Sequence, residues 1–278
     1  MMKFLSKFYM FIIFALLYAP IVVLIVFSFN DGGSLNEFTG ISLKWYGELF
    51  RDEAALTALK NSLVLAICSS CIATVIATFA ALGLHHMKNK YIKGAVTSVT
   101  NIPMMNPDIV TGVSMMLLFV AVANFFKFNQ MFGFGTMLIA HTTFNLPYAL
   151  LSITPRFNQL DKSLSEAAQD LGCTPSRAFF KVELPEIVPG IISGLMMSFT
   201  LSLDDFIISY FVSGPKFQTL PIRIFSMTKK RVTPDMYALS TIIFLVILVL
   251  LILVILRVEH IPNLIFVFIR YRITIVSN

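Results

Sequence analysis

The sequence predicts an all-α integral membrane protein with about six transmembrane helices, and three observations carry that prediction. The 278 residues are 57% hydrophobic and only 13% charged, about half the charged share of an ordinary soluble domain. The mean hydropathy is +0.82, so a water-soluble fold has too little polar surface to cover the apolar remainder. Six stretches each approach or exceed the roughly 20 apolar residues needed to cross a hydrocarbon layer about 30 Å thick. The 27 Phe and 14 Met, against one Trp, suit lipid-facing and helix-packing surfaces.

The six expected spans are residues 9–29, 62–84, 102–125, 135–154, 187–213 and 236–256. The first run is too long for a signal-peptide core and lacks a small-x-small cleavage site, so it is read as a retained span. Lys3 and Lys7 precede it, and Lys88, Lys90 and Lys93 follow the second span. Residues 30–61 carry five acids, Asp31, Glu37, Glu48, Asp52 and Glu53, against three bases. Basic loops stay on the cytoplasmic side, which places both termini there. Lys216, Arg223, Lys229, Lys230 and Arg231 oppose this count between spans five and six. Gly214, Pro215, Pro221 and Pro234 mark that segment as structured and partly re-entrant, and span parity decides the orientation. The net charge of +6 lies in loops and tails, where it sets orientation rather than binding nucleic acid.

Cys68, Cys71 and Cys173 cannot all pair, and the first two sit in an apolar run as small packing residues. No set of His, Cys or acids has metal-ligand spacing. His85 and His86 join the basic flank of span two. His141 and Asn145 lie one turn apart on span four, which predicts an interhelical hydrogen bond rather than a ligand site. Gly190, Gly194 and Ser198 form a ridge of small residues for close helix contact, a partner chain included.

The one large cytoplasmic loop, residues 155–189, reads as two short helices. Ser163 with Glu166 three residues on makes a capping box, and Gly172 is a natural stop. Thr174 and Pro175 restart a helix, with the hydroxyl as cap and the ring in the first turn. Leu184 and Pro185 then close it. Ala167 and Ala168 are small enough to let that surface seat closely on a partner; the plain alternative is a helical connector.

The string from Glu166 to Pro185, EAAQDLGCTPSRAFFKVELP, resembles the EAA loop of permease subunits in binding-protein-dependent ABC importers. That pattern is E-A-A, three residues, G, nine residues, I, one residue, L-P. Glu166, Ala167, Ala168, Gly172, Leu184 and Pro185 match it, and Val182 replaces the usual Ile. The resemblance implies a type I ABC importer permease fold (MetI-like), with loop 155–189 fitting a cleft on a cytoplasmic ATPase dimer. No G-x-x-x-x-G-K-[ST] phosphate loop occurs in the chain. ATP and Mg are therefore expected on that separate subunit, no cofactor on this one, and the chain is expected to transport rather than catalyse.

Further segments narrow the resemblance to permeases of spermidine/putrescine importers: YAPIVVLIVFSFN, KWY at Lys44 to Tyr46, MMNPDIV, SFTLSLDDF and FVSGP. The implied setting is a bacterial cytoplasmic (inner) membrane, with a second homologous permease and an extracytoplasmic polyamine-binding protein as further partners. The implied permease domain spans residues 1–257. The tail, 258–278, departs from the family's hydrophilic end, and its apolar core at 261–269 is too short to cross a bilayer.

An acid at the centre of a transmembrane helix costs about 2.5–3.5 kcal/mol, so it faces a cavity or a partner. Asp204 and Asp205 lie in span five, with Lys181 and Lys216 the nearest bases in sequence. Asp108 follows Pro107 at the start of span three, where helix capping is the alternative. A polyamine needs spaced acids with aromatic faces between them. Adjacent helical residues point about 100° apart, so of Asp204 and Asp205 one meets substrate and the other a neighbouring helix or the companion permease. Trp45 and Tyr46 read as interfacial anchors or as aromatic contacts for an incoming ammonium. Three rivals remain: an importer permease for another solute such as sulfate, molybdate or ferric ion, a self-sufficient secondary transporter, and a membrane scaffold. Carboxylates repel the oxyanions, and neither of the last two explains the EAA match.

Overall fold

A computed structural model describes residues 2–32, 38–128, 132–215, 217–229, 236–249 and 252. Among them the regular structure is helical, apart from one antiparallel bridge between Asn30 and Ile41. The helices are α1 (Met2–Phe27), α2 (Lys44–Leu49), α3 (Glu53–His86), α4 (Lys90–Met105), α5 (Asp108–Phe126) and α6 (Phe134–Gln159). They continue as α7 (Lys162–Asp170), α8 (Pro175–Ala178), a π-helical turn (Phe179–Glu183), α9 (Leu184–Asp204), α10 (Ile207–Val212), α11 (Leu220–Thr228) and α12 (Met236–Val249). Among the described residues, four stretches are long and apolar enough to cross a membrane: Ser6–Phe27, Glu53–His86, Asp108–Phe126 and Pro175–Asp204. The expected fourth span is α6, 26 residues long but more polar; it carries His141, Asn145, Pro147 and Pro155 and buries one face. The expected sixth begins as α12. The tail 258–278, and Glu37, Lys216, Lys230, Arg231 and Pro234 of the loops, lie outside the described residues.

Two compact units are present. One comprises described residues within Met1–Leu59 and Arg223–Leu250, the other those within Lys60–Ile222 and Leu251–Asn278. In the first, α1 turns its side chains outward through most of its length, as a helix solvated by lipid or a partner can. Its end is tied down by Asn30, whose side-chain oxygen accepts from the Thr39 amide at 2.9 Å. α12 buries Met236, Ala238 and Leu239.

The second unit is built on small residues. α3 buries Ala66, Ala73, Ala77 and Ala81, which lets neighbouring helices approach closely. One apolar cluster joins Ala77, Ala81 and Leu84 to Ala149, Ile153, Phe157, Phe179 and Ile187. A second joins Leu65 to Phe119, Met137, Ala140, Phe144, Ile208 and Val212. α6 and α9 run antiparallel in tight register. A Cβ on Gly194 would stand 3.2 Å from the Ala149 carbonyl oxygen, and one on Gly190 would meet the Arg156 side chain. The small-residue ridge of α9 thus packs against this chain's own α6.

Several local expectations change. The third span starts at Asp108, not near residue 102, because Pro107 forces Asn106 into an extended conformation (ψ 143°) and ends α4. The fifth span is not continuous: α9 stops at Asp204 and α10 begins at Ile207. In the loop, the cap of α7 is Asp161, which accepts from the Ser163 amide at 3.0 Å, so Ser163 and Glu166 do not form the capping box. Thr174 occupies the cap position of α8 but its hydroxyl makes no capping bond. Gly172 does stop α7. Its φ is +87°, and the Cys173 amide bonds Ala168 at 3.0 Å while its own amide bonds Gln169 at 2.9 Å, a Schellman closure. Leu184 and Pro185 do not end the second helix. The wider π turn at 179–183 absorbs the missing amide and the ring of Pro185, so helix continues from Pro175 to Asp204.

Candidate substrate path and coupling surface

Two helix breaks come together in the second unit. α5 packs along α10, and Gly112 permits it: a Cβ there would stand 2.9 Å from the Phe211 ring and 3.5 Å from the Ile207 carbonyl oxygen. Asp108 lies one turn before Gly112, at the start of α5. It therefore stands near the level where α9 gives way to α10, the level of Asp204 and Asp205. Asp108 and Asp204 are both exposed in the isolated chain. Their exposure leaves both carboxylates available to a solute or a partner.

Asp205 is turned inward, its side chain 7% exposed. One carboxylate oxygen accepts from the Ile208 amide at 3.2 Å and the other from the Ser209 amide at 2.8 Å, capping α10. The second oxygen also lies 3.4 Å from His141 Nε2. The two adjacent acids thus point apart, and the break in the helix separates them further. The His141 ring is buried on α6. Its Nδ1 meets the Ser202 hydroxyl at 2.7 Å and its Nε2 the Ser209 hydroxyl at 2.9 Å. Ser202 meets Ser69 of α3 at 3.0 Å. His141 makes the interhelical bonds expected of it, whereas the buried Asn145 amide has no protein partner among the described residues.

Aromatic pairs occur in the same unit. Tyr148 packs with Phe144 at 5.4 Å between centroids. Phe206 packs with Tyr210 at 5.5 Å beside the break. Sequence reading did not single out these four. An aromatic at helical spacing in an apolar run carries no local mark of its neighbours.

In the first unit, Trp45 and Tyr46 use their polar ends on the chain itself. Trp45 Nε1 donates to the Asn30 carbonyl at 2.7 Å, and the Tyr46 hydroxyl bonds Ser28 at 2.7 Å. The Tyr46 ring packs on Phe29, and Lys44 Nζ stands 5.1 Å from the Trp45 ring, a cation–π contact. Asp52 caps the start of α3 through the Ala54 and Ala55 amides and meets Arg223 at 3.1 Å. Burial raises its carboxyl, but the Ala55 amide, the Arg223 guanidinium and the Ala54 amide outweigh this and hold it below the usual value.

The candidate coupling surface is the α7–α8 pair. Glu166, Ala167 and Gly172 are exposed, and Ala168 is half-buried. Leu184 and Pro185 are half-buried, with Leu184 packed on the Ala149–Ile187 cluster, so they anchor the pair rather than form its outer face. Amide and hydroxyl hydrogen bonds from Ser163 hold the Asp161 carboxyl below its usual range, the backbone amide contributing most.

Comparison with known proteins places this architecture. Residues 73–262 match the family model "Binding-protein-dependent transport system inner membrane component". The putrescine transport system permease protein PotI of Escherichia coli K12 is 41% identical over 230 residues, 83% of this chain and 82% of that protein. The spermidine/putrescine transport system permease protein PotC of Haemophilus influenzae is 38% identical over 243 residues, 87% of this chain and 92% of that one. A bacterial ABC transporter that imports alginate matches with a TM-score of 0.71 at 17% identity, covering 94% of this chain and 95% of its own. The MetNI methionine ABC transporter matches with a TM-score of 0.60 at 15% identity, covering 80% and 99%. The last two establish the fold, that of a type I ABC importer permease. With the family model covering most of its length and relatives above 30% identity over four-fifths of it, this chain belongs to the inner membrane components of binding-protein-dependent transport systems, as a transport subunit and not an enzyme.

Proposed function

We propose that this chain is a permease subunit of an ATP-driven importer that carries polyamines, spermidine or putrescine, across the bacterial cytoplasmic membrane. The observation that carries the reading is the pair of helix breaks, which leaves the exposed carboxylates of Asp108 and Asp204 at about one level, with the aromatic pair Phe206–Tyr210 beside the break. A flexible polycation has little to gain from a purely apolar path. It gains charge-assisted hydrogen bonds from carboxylates and cation–π contact from rings, and both strengthen away from bulk water. The 41% and 38% identities to permeases named for putrescine and spermidine/putrescine support the same cargo.

In this reading both termini and loop 155–189 face the cytoplasm. Glu166, Ala167, Ala168 and Gly172 meet an ATPase dimer that holds ATP and Mg, while Leu184 and Pro185 transmit its movement into α9. A homologous permease covers the faces that the isolated chain leaves bare, and an extracytoplasmic binding protein delivers the polyamine near Trp45 and Tyr46. The spans then rock between two accesses around the acids.

Radiolabelled spermidine and putrescine uptake, in cells carrying the four-protein system, tests the path. Asp204→Asn keeps the shape and removes the charge, and it should lower uptake at least about tenfold, the value of one charge-assisted contact. Uptake at the wild-type level would take Asp204 out of the path. Glu166→Lys tests the coupling surface separately. It should abolish co-purification of the ATPase and reduce transport by a similar factor; an intact, active complex would sink the docking assignment.

A further inference from the structure

We infer that His141 is a positioning residue for substrate recognition, a clamp that holds the α9–α10 break so that Asp204 presents its carboxylate to the transported cation. This rests on the polyamine reading above and adds to it a residue on a different helix. The break from Asp204 to Ile207 contains neither Gly nor Pro, so no helix-breaking residue enforces it. Asp205 caps α10 on one side of it, and one imidazole ties the two helices together across it. The ring is 1% exposed and reaches Ser202 before the break, Asp205 at it and Ser209 after it. These contacts join the last turn of α9 to the first turn of α10. Asp204 is the last residue of α9 and the direct neighbour of Asp205. Its direction therefore follows from where Asp205 is pinned.

The full clamp closes with the proton on Nε2; with the proton on Nδ1 the Nε2 lone pair faces the Asp205 carboxylate, and only the two serine arms remain. With the proton on Nδ1, the ring donates to Ser202, Ser202 donates to Ser69, and Ser69 donates to the Ala66 carbonyl at 3.3 Å, while Nε2 accepts from Ser209. With the proton on Nε2, the ring donates toward Asp205 and Ser209, and Nδ1 accepts from Ser202. No polar atom of the ring is left unpaired in either arrangement.

The test is the concentration dependence of spermidine uptake by the assembled complex, with rates normalised to complex recovered. His141→Leu removes every polar contact of the ring, and His141→Gln restores hydrogen-bonding groups at similar length. A clamp predicts that His141→Leu raises the KM for uptake about tenfold or more, with the maximal rate per complex within about twofold of wild type. His141→Gln should recover most of that affinity. A lower maximal rate at unchanged KM, or a Gln variant no better than Leu, would overturn the clamp while leaving polyamine transport standing. A wild-type complex that takes up no polyamine would end both readings. If His141→Leu fails to assemble, Ser209→Ala decides the matter. That variant deletes one arm of the clamp, and an unchanged KM overturns the proposal as surely as a severalfold rise supports it.

Discussion

Replacing Asp205 with Leu is expected to destabilise the chain by about 1–3 kcal/mol or more, the cost of leaving buried donors without their acceptor. The carboxylate serves three partners at once: the Ile208 and Ser209 amides at 3.2 and 2.8 Å, and His141 at 3.4 Å. Leu fills the volume but accepts nothing. Both amides lose their cap at the first turn of a six-residue helix that has no other side-chain cap. The imidazole loses one neighbour while its links to Ser202 and Ser209 depend on the same geometry. Asp205→Asn keeps an oxygen for at least one amide and should recover much of the loss. Thermal unfolding of the detergent-purified complex reads the difference: Leu well below wild type, Asn between them. Equal melting temperatures for Leu and wild type would mean that the inward carboxylate does not hold the break.

Gly194→Leu is the second large effect. α6 and α9 approach so closely that even a methyl group at Gly194 would sit 3.2 Å from the Ala149 carbonyl oxygen and 3.4 Å from Ala149 Cα and the Ile153 side chain. Backbone atoms on the facing helix cannot swing aside as a side-chain end can. Gly194→Ala should therefore cost about 1–3 kcal/mol, the usual range for overpacking, and Leu more. The damage should also travel. His141 meets Ser202 two turns along the same interface, so forcing the helices apart at Gly194 loosens the clamp as well. Melting temperatures ordered wild type, Ala, Leu, with polyamine uptake falling in that order, are the expected outcome. A Leu variant as stable as Ala would show that the two helices yield at this contact.

How much could be read in advance differs from element to element. α1, α3 and α5 were legible because hydropathy over about 20 residues is a local quantity and lipid imposes it. The stop at Gly172 was legible because a positive φ selects glycine. The caps of α7 and α8 were misassigned because Asp161, Ser163 and Thr174 are all competent capping types, and the sequence does not say which amide each will reach. Pro185 was read as a terminator since proline removes an amide, yet a π turn upstream accommodates it. The break after Asp204 has no Gly or Pro to mark it. Its partner His141 stands 61 to 68 residues away along the chain.

The sequence by itself determined that the chain is helical and membrane-bound, that it carries a two-helix loop with the EAA pattern, and that Asp108, Asp204 and Asp205 are acids placed where hydrocarbon punishes charge. Those properties are local, set by composition, spacing and transfer free energy. The tertiary structure alone decided which acid is exposed and which is pinned, that two helix breaks stand at one level, and that the small-residue ridge of α9 is used on α6. Such outcomes depend on contacts between residues far apart in the chain, and these exist only once the helices have packed.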